Sequence, residues 1–405
     1  MTERLYYNNS FLLNFSAAIV EAKPVSDGRV SVVLDRTAFY PTSGGQVFDT
    51  GWIELEDAPQ QKLRVLEVGE TEDGTIQHIV ECADAATLHD HHVRGFIDVE
   101  RRRDHMQQHT GQHVLSAAFI ALFEMPTVSF HMGAENCTID LDAKALSGDQ
   151  VRRAEALANE IIAEDRPVEI KYATPDEARA MGVRKIPPAE REKLRLIDIQ
   201  GFDLNACGGT HVRSTGQIGA ILLRKISKEK QGIRVEFVCG MRAVATARKD
   251  FETLTEAASV SSTHIHELPS QVRKLIDESK AAVKREQKLL EEIASLTAES
   301  ILVSVGNAKV VHRFYPERDL AFIKLLAQRL TRQGTAIALI GCGGEQPAIV
   351  FAQTTGLPND MGALMKEALV TLGGRGGGSK DMAQGGASDA TKIEAVLDRV
   401  ADRVR

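Results

Sequence analysis

Alternation of apolar and polar residues dominates the first hundred positions. The runs 29–34, 63–68, 75–80 and 93–99 follow the two-residue period of half-buried strands, and Gly, Asp and Pro punctuate them. This predicts a small antiparallel β-barrel over residues 1–96. Between the first two runs, residues 39–46 read FYPTSGGQ. Paired glycines after a proline turn, Gly44 and Gly45, let a backbone approach a ligand closely. Near residue 101 the period becomes helical: Met106, His109, His113 and Ala117 predict a helix over 101–123, ended by Pro126. A second helix begins after Ser147 or Asp149, with Val151, Ala154, Leu157, Ile161 and Ile162 apolar. Strands over 167–172, 218–226 and 233–239 complete an α+β domain at 97–255. In 268–297 an apolar stripe (Val272, Ile276, Val283, Leu290, Ile293, Leu296) predicts a helical arm or short coiled coil within 256–300, although Ser279 and Glu286 interrupt it. One amphipathic helix packed on a domain satisfies the same pattern. The last segment, 301–405, alternates strands (310–314, 336–341, 348–353) with helices (320–330, 361–372, 392–404), a compact α/β unit. The expected fold is therefore multi-domain α+β.

Composition narrows the class. A chain of 405 residues with 43% hydrophobic and 26% charged residues fits a globular protein of two to four domains. It has no apolar run of membrane-spanning length and no secretory signal, so a cytoplasmic protein without a membrane partner is expected. Five scattered cysteines argue against a disulfide framework and leave metal binding or reactivity for any special one. The net charge of −7 does not point to nucleic acid, yet residues 221–250 hold eight Lys/Arg against three acids, Arg234 and Arg242 among them. Arg101, Arg102 and Arg103 form another basic cluster. Counterion release depends on the contacting face, so these are candidate RNA contacts; a solvated surface explains either patch alone.

The chemistry concentrates in two short motifs. His109 and His113 stand one turn apart on one helix face, and Cys207 and His211 repeat the spacing on a glycine-rich turn. Together they offer one thiolate and three imidazoles, a set suited to Zn²⁺. Each half alone also occurs as ordinary helix or turn residues; the ordered pair is the stronger signal. Zinc proteases share the HxxxH spacing, but Thr110 occupies the place of their general-base glutamate. His105, a further turn back, either supports a ligand histidine from behind or is an ordinary helix residue. The tripeptide Asp90-His91-His92 spells a phosphoesterase signature, but it precedes a strand-like run where that family has a strand end, so catalysis there is disfavoured.

Four ordered motifs carry a resemblance across nearly the whole chain: AFYPTSGGQ at 38–46, MQQHTGQH at 106–113, ACGGTH at 206–211 and RVEFVCG at 234–240. The chain resembles the free-standing alanyl-tRNA editing proteins, often called AlaX, in their long form, and is similar to the editing and C-terminal portions of alanyl-tRNA synthetase. The glycine-rich run 373–386 resembles the signature of the DHHA1 domain. The resemblance implies a barrel-like first domain, a zinc-bearing editing domain with His109, His113, Cys207 and His211 as ligands, and Gln46 as the glutamine of the glycine motif. It further implies that the arm and the C-terminal domain hold tRNA, with Arg375 and Lys380 near phosphates. No part resembles a class II aminoacylation domain, so deacylation in trans is expected.

The implied reaction is hydrolysis of Ser-tRNA(Ala), with Gly-tRNA(Ala) as the second candidate substrate, at the zinc site. An alanine-activating pocket rejects serine weakly and cannot exclude glycine by size. Gln46 with the Gly44 and Gly45 backbone is assigned to catalysis, Thr37, Thr42 and Ser43 to reading the serine hydroxyl, and Asp203 to accepting from a ligand histidine beside the substrate. Four protein ligands fill a tetrahedron, so the metal becomes five-coordinate, one ligand (Cys207 the candidate) leaves, or the metal only positions the terminal adenosine. The alternatives are a tRNA-binding protein with a structural zinc, a threonyl-tRNA-type editing domain and a DHH phosphoesterase. A homodimer through the arm or the C-terminal domain is a further expectation.

Overall fold

The computed structural model describes residues 2–26, 28–88, 91–183, 192–230, 232–306, 309–333 and 337–405. The chain divides into two compact units, Met1–Leu254 and Thr255–Arg405.

In the first unit, β1 (Glu3–Arg4) pairs in parallel with β4 (Arg36–Thr37). The strands β2 (Asn14–Ser26), β3 (Arg29–Leu34), β5 (Gly51–Leu55), β6 (Lys62–Glu70), β7 (Ile76–Glu81) and β8 (His92–Ile97) close a barrel in the order β2-β3-β7-β6-β5-β8. Closure leaves no unpaired edge. Alternation supplies the core: Val30, Val32, Leu34, Leu63, Val65, Ile76 and Val80 face inward. A register shift between Val65 and Glu67 moves the next inward residue to Val68, which is why the sequence period falters there.

Asp98 caps α1 (Val99–Phe123), its side chain accepting from Arg101 N. This helix is buried on several faces, and its buried residues include Arg102, His105, Gln108, His109, Thr110 and His113. Behind it lie β9 (Thr127–Met132), β10 (Cys137–Leu141) and α2 (Gly148–Ala163), whose Ser147 and Gln150 form a capping box. Then come β11 (Val168–Ala173), α3 (Pro175–Ala180), β12 (Leu194–Ile199), β13 (Asp203–Ala206), β14 (Ile221–Glu229), β15 (Gly232–Cys239) and α4 (Gly240–Val260). They build a four-stranded sheet, β14-β15-β10-β9, and a three-stranded sheet, β11-β12-β13. Val114, Leu115 and Phe119 of α1 pack with Ile161 of α2 and Val235 and Phe237 of β15 in one core.

In the second unit, α5 (Leu268–Val305) is a single helix of 38 residues, longer than the stripe that predicted it. Ala294, Ala298 and Ile301 are buried near its end, while Val272, Leu275, Ile276 and Val283 are exposed. Five strands follow, β16 (Val310–Tyr315), β17 (Ile337–Cys342), β18 (Ala348–Gln353), β19 (Arg375–Gly378) and β20 (Met382–Gly386), with α6 (Leu320–Gln333), α7 (Met361–Leu372) and α8 (Ile393–Val404). The sheet order is β16-β17-β18-β20-β19. Side chains of β17 alternate between two cores, one shared with α5 and α6 and the other with α7 and α8. The glycine-rich run is the β19–β20 hairpin, in which Gly376 and Gly385 lie against Leu369. Packing accounts for those two glycines without a ligand. Among the described residues, no helix is long and apolar enough to cross a membrane.

Candidate metal centre

The two motifs meet. His109 and His113 come from the middle of α1, and Cys207 and His211 from the turn that leaves β13. One ligand atom from each of the four residues lies within 4.8 Å of all the others. Cys207 Sγ is 3.4 Å from His109 Nε2 and 3.3 Å from His211 Nε2. His109, His113 and His211 are buried, Cys207 partly so.

Each imidazole is held from behind through Nδ1. Thr210 N–H donates to Gln46 Oε1 at 3.1 Å, which fixes the orientation of that amide, and Gln46 Nε2 donates to Thr210 Oγ1 at 2.9 Å. Oε1 is then the atom that meets His109 Nδ1 at 2.7 Å, so Nδ1 carries the proton and Nε2 presents its lone pair to the quartet. His113 Nδ1 faces Asp203 Oδ2 at 3.2 Å, and His211 Nδ1 faces Thr110 Oγ1 at 3.1 Å. These carboxylate, amide and hydroxyl partners are the outer shell that metal-binding histidines need. The donor set and its support therefore fit a borderline-soft cation such as zinc.

Electrostatics agree with that fit. Burial raises the Cys207 thiol, but His109 and His211 outweigh it and hold the group well below the ordinary thiol range. Burial would also deprotonate His113; hydrogen bonds to Asp203 and Cys207 win and raise it to about 10. His211 is lowered to about 3, burial exceeding the pull of the thiolate. A cation bound there would take the place of protons on this donor set.

Two glycines shape the surroundings. A Cβ on Gly209 would sit 2.1 Å from His109 Cε1, and a Cβ on Gly45 would sit 2.4 Å from the Phe130 carbonyl, at a φ of +84°. Gly45 O accepts from Met132 N, which docks the glycine loop on β9. Gly44 borders a cleft of about 700 Å³ together with His109, His113 and Cys207. The hydroxyls lining the cleft are Ser116, Thr127 and Ser129. Ser116 Oγ is 2.6 Å from Thr127 Oγ1 and accepts from Gln112 Nε2 at 2.8 Å.

Several expected roles change. Gln46 is fully buried, and its amide is committed to His109 and Thr210. Thr37 is buried in the barrel with its hydroxyl 2.8 Å from His78 Nε2. Thr42 and Ser43 shape the turn: Thr42 N donates to Val68 O, and Ser43 pairs with Gln46 in a β-bridge. Arg102 is not a surface cation. It is fully buried, paired with Asp49 at 2.5 Å, and donates to the Ser10 and Ala38 carbonyls. Arg101 donates to the Phe48 carbonyl, while Arg234 and Arg242 fork onto Asp140 and Asp104. Arg375 and Lys380 are exposed on the second unit. His105 stays outside the quartet, 3.8 Å from Asp49, and burial lowers it to about 3. Asp90 lies outside the described residues; His91 pairs with Asp57 and His92 opens β8.

Sequence reasoning missed Thr110 and Ser10. Thr110 lies between the ligand histidines, and Ser10 Oγ accepts from His211 N at 3.2 Å. Position 110 had marked only what the site is not, and Ser10 carries no local signal.

Three family models match the chain. Residues 194–236 match the threonyl and alanyl tRNA synthetase second additional domain, and residues 311–405 match the DHHA1 domain. Residues 2–101 match the model described as tRNA synthetases class II (A), against the expectation that no part resembles a class II aminoacylation domain; in the structure these residues contain the barrel. The alanyl-tRNA editing protein AlaX-L of Pyrococcus horikoshii is 31% identical over 410 residues, covering 100% of this chain and 99% of that protein. The alanine–tRNA ligases of Pyrococcus abyssi and Pyrobaculum neutrophilum are 30% and 32% identical. The chain spans 43% and 42% of those ligases, less than half their length.

Proposed function

The chain belongs to the family of alanyl-tRNA editing proteins, and from that premise we propose that it hydrolyses the ester of mischarged alanine tRNA, Ser-tRNA(Ala) and Gly-tRNA(Ala), at a Zn²⁺ held by His109, His113, Cys207 and His211. The convergence of those four ligand atoms beside an open cleft carries the reading. Bound there, zinc supplies Lewis acidity toward an ester carbonyl or a water.

The chain's own groups supply the rest. Gly44, which borders the cleft and whose missing side chain leaves open space, gives the aminoacyl end room against the backbone. The hydroxyls of Ser116, Thr127 and Ser129 replace Thr37 as readers of the serine side chain. A serine hydroxyl would join the hydrogen bonds that these groups make with one another and with Gln112 and Asp140, whereas alanine brings no hydroxyl to them. An ester is already activated, so orienting it and stabilising its developing charge suffices. The DHHA1 domain, with Arg375 and Lys380 exposed, is assigned to holding the tRNA body.

Ser-, Gly- and Ala-charged alanine tRNA, each incubated with the protein, test this by release of the amino acid. Serine is expected to leave fastest and alanine to stay; equal release of all three sinks the editing role. The four-ligand count favours a second reading, a structural zinc in a tRNA-binding protein, which an absence of hydrolysis alongside tight tRNA binding would establish.

A further inference from the structure

Cys207 is the first residue beyond β13, where two glycines begin a tight turn. One residue holds both of its backbone groups. The Arg195 carbonyl on β12 accepts Cys207 N–H at 3.1 Å, and Arg195 Nη1 donates to the Cys207 carbonyl at 2.6 Å. Arg195 Nε donates to the Tyr7 carbonyl at 2.9 Å, and the guanidinium lies over the Tyr7 ring, 5.6 Å from its centroid. The fork is thus anchored on the N-terminal segment that also supplies Ser10 to His211.

Arg195 is only 8% exposed, its Nη2 is buried without a hydrogen-bond partner, and no carboxylate pairs with it among the described residues. A buried cation with an unmet donor is unfavourable unless what it grips matters, because an apolar residue of similar volume would remove the penalty. Its two satisfied nitrogens both go to main-chain carbonyls, a geometry only the planar fork of arginine provides.

We infer that Arg195 is a positioning residue of the metal centre: it clamps the Cys207 backbone so that the thiolate stays in the ligand set. Cys207 is then not the ligand that leaves when substrate arrives. This rests on the reading of the quartet as a metal site.

Zinc affinity, measured by competition with a chromophoric chelator, and the thiolate-to-cobalt absorption of the Co²⁺-substituted protein provide the test. Arg195→Gln is expected to lose about 10- to 100-fold in affinity, the range for outer-shell partners, and to weaken that absorption. Arg195→Lys keeps the charge but cannot span both carbonyls, so most of the loss should persist. Full rescue by lysine, or a glutamine variant with native affinity and absorption, overturns the clamp. Amide hydrogen exchange of the metal-free wild type gives a check that needs no variant: Cys207 N–H should be protected, and free exchange there also overturns it. A wild-type protein that binds no zinc would instead remove the metal-site reading itself.

Discussion

Gly208 and Gly209 are adjacent in the sequence, and alanine should be tolerated at one and ruinous at the other. A Cβ on Gly209 would lie 2.1 Å from His109 Cε1, 2.3 Å from Nδ1 and 2.9 Å from Gln46 Oε1. Carbon atoms pack at about 3.5–4.0 Å, so the ring or the turn must retreat by more than about 1 Å. The turn is pinned: Arg195 holds Cys207, Gln46 holds Thr210 and Ser10 holds His211. The His109 ring is the part that yields, and metal–ligand distances tolerate only about 0.2 Å. If the whole site contributes about 10–16 kcal/mol, one ligand of four is worth about 3–4 kcal/mol, or roughly 100- to 1,000-fold in zinc affinity. A Cβ on Gly208 meets nothing closer than Tyr7 Oη at 3.4 Å, an ordinary contact, so Gly208→Ala is the internal control. Chelator competition on the two variants decides the matter. Gly209→Ala binding zinc within about threefold of wild type would show that the turn is free to move and that this argument is wrong.

Three further outcomes follow from buried charges. Zinc binding should release about one proton from His113, raised to about 10 beside Asp203, so affinity falls about tenfold per pH unit as pH drops below that value; Asp203→Asn should shift the dependence to lower pH, as proton release in weak buffer reports. His78, buried in the barrel with Nδ1 at the Val32 carbonyl, is lowered by burial from 6.5 to about 4. Its neutral form favours the fold above pH 6.5, and up to about 3 kcal/mol is lost as pH falls from 6.5 through 4, which urea titrations of wild type and His78→Leu would resolve. Arg102→Met should cost about 3–5 kcal/mol in thermal or urea unfolding because it strands the Asp49 carboxylate among buried groups; a loss below about 1 kcal/mol would mean that water reaches the pair.

Much of the second unit was legible, and the reason is local. Residues 348–353 and 361–372 coincide with β18 and α7, since a continuous apolar run and a helical stripe are short-range signals. The helix expected after Ser147 or Asp149 is α2, which Ser147 caps. By contrast α4 (Gly240–Val260) was missed, because Met241, Val244 and Phe251 leave apolar surface exposed and blur its stripe. Basic residues misled for a different reason. Arg102 belongs to a run of three arginines, and nothing in such a run shows which one faces a buried aspartate far away on the barrel.

The sequence by itself singled out the four candidate ligands, which the fold brings together. Four-residue spacing on a helix, and again on a glycine turn, places two donors together whatever surrounds them. It also determined the family, through motifs that stand intact in order, and it singled out Asp203 as the partner of a ligand histidine. Only the tertiary structure decided which imidazole Asp203 meets, that the buried Gln46 amide is committed to His109 and Thr210, which of two glycines a Cβ would crowd, and which hydroxyls line the cleft. Those choices depend on contacts between residues some 60 to 200 apart in the chain, where neither periodicity nor spacing carries information.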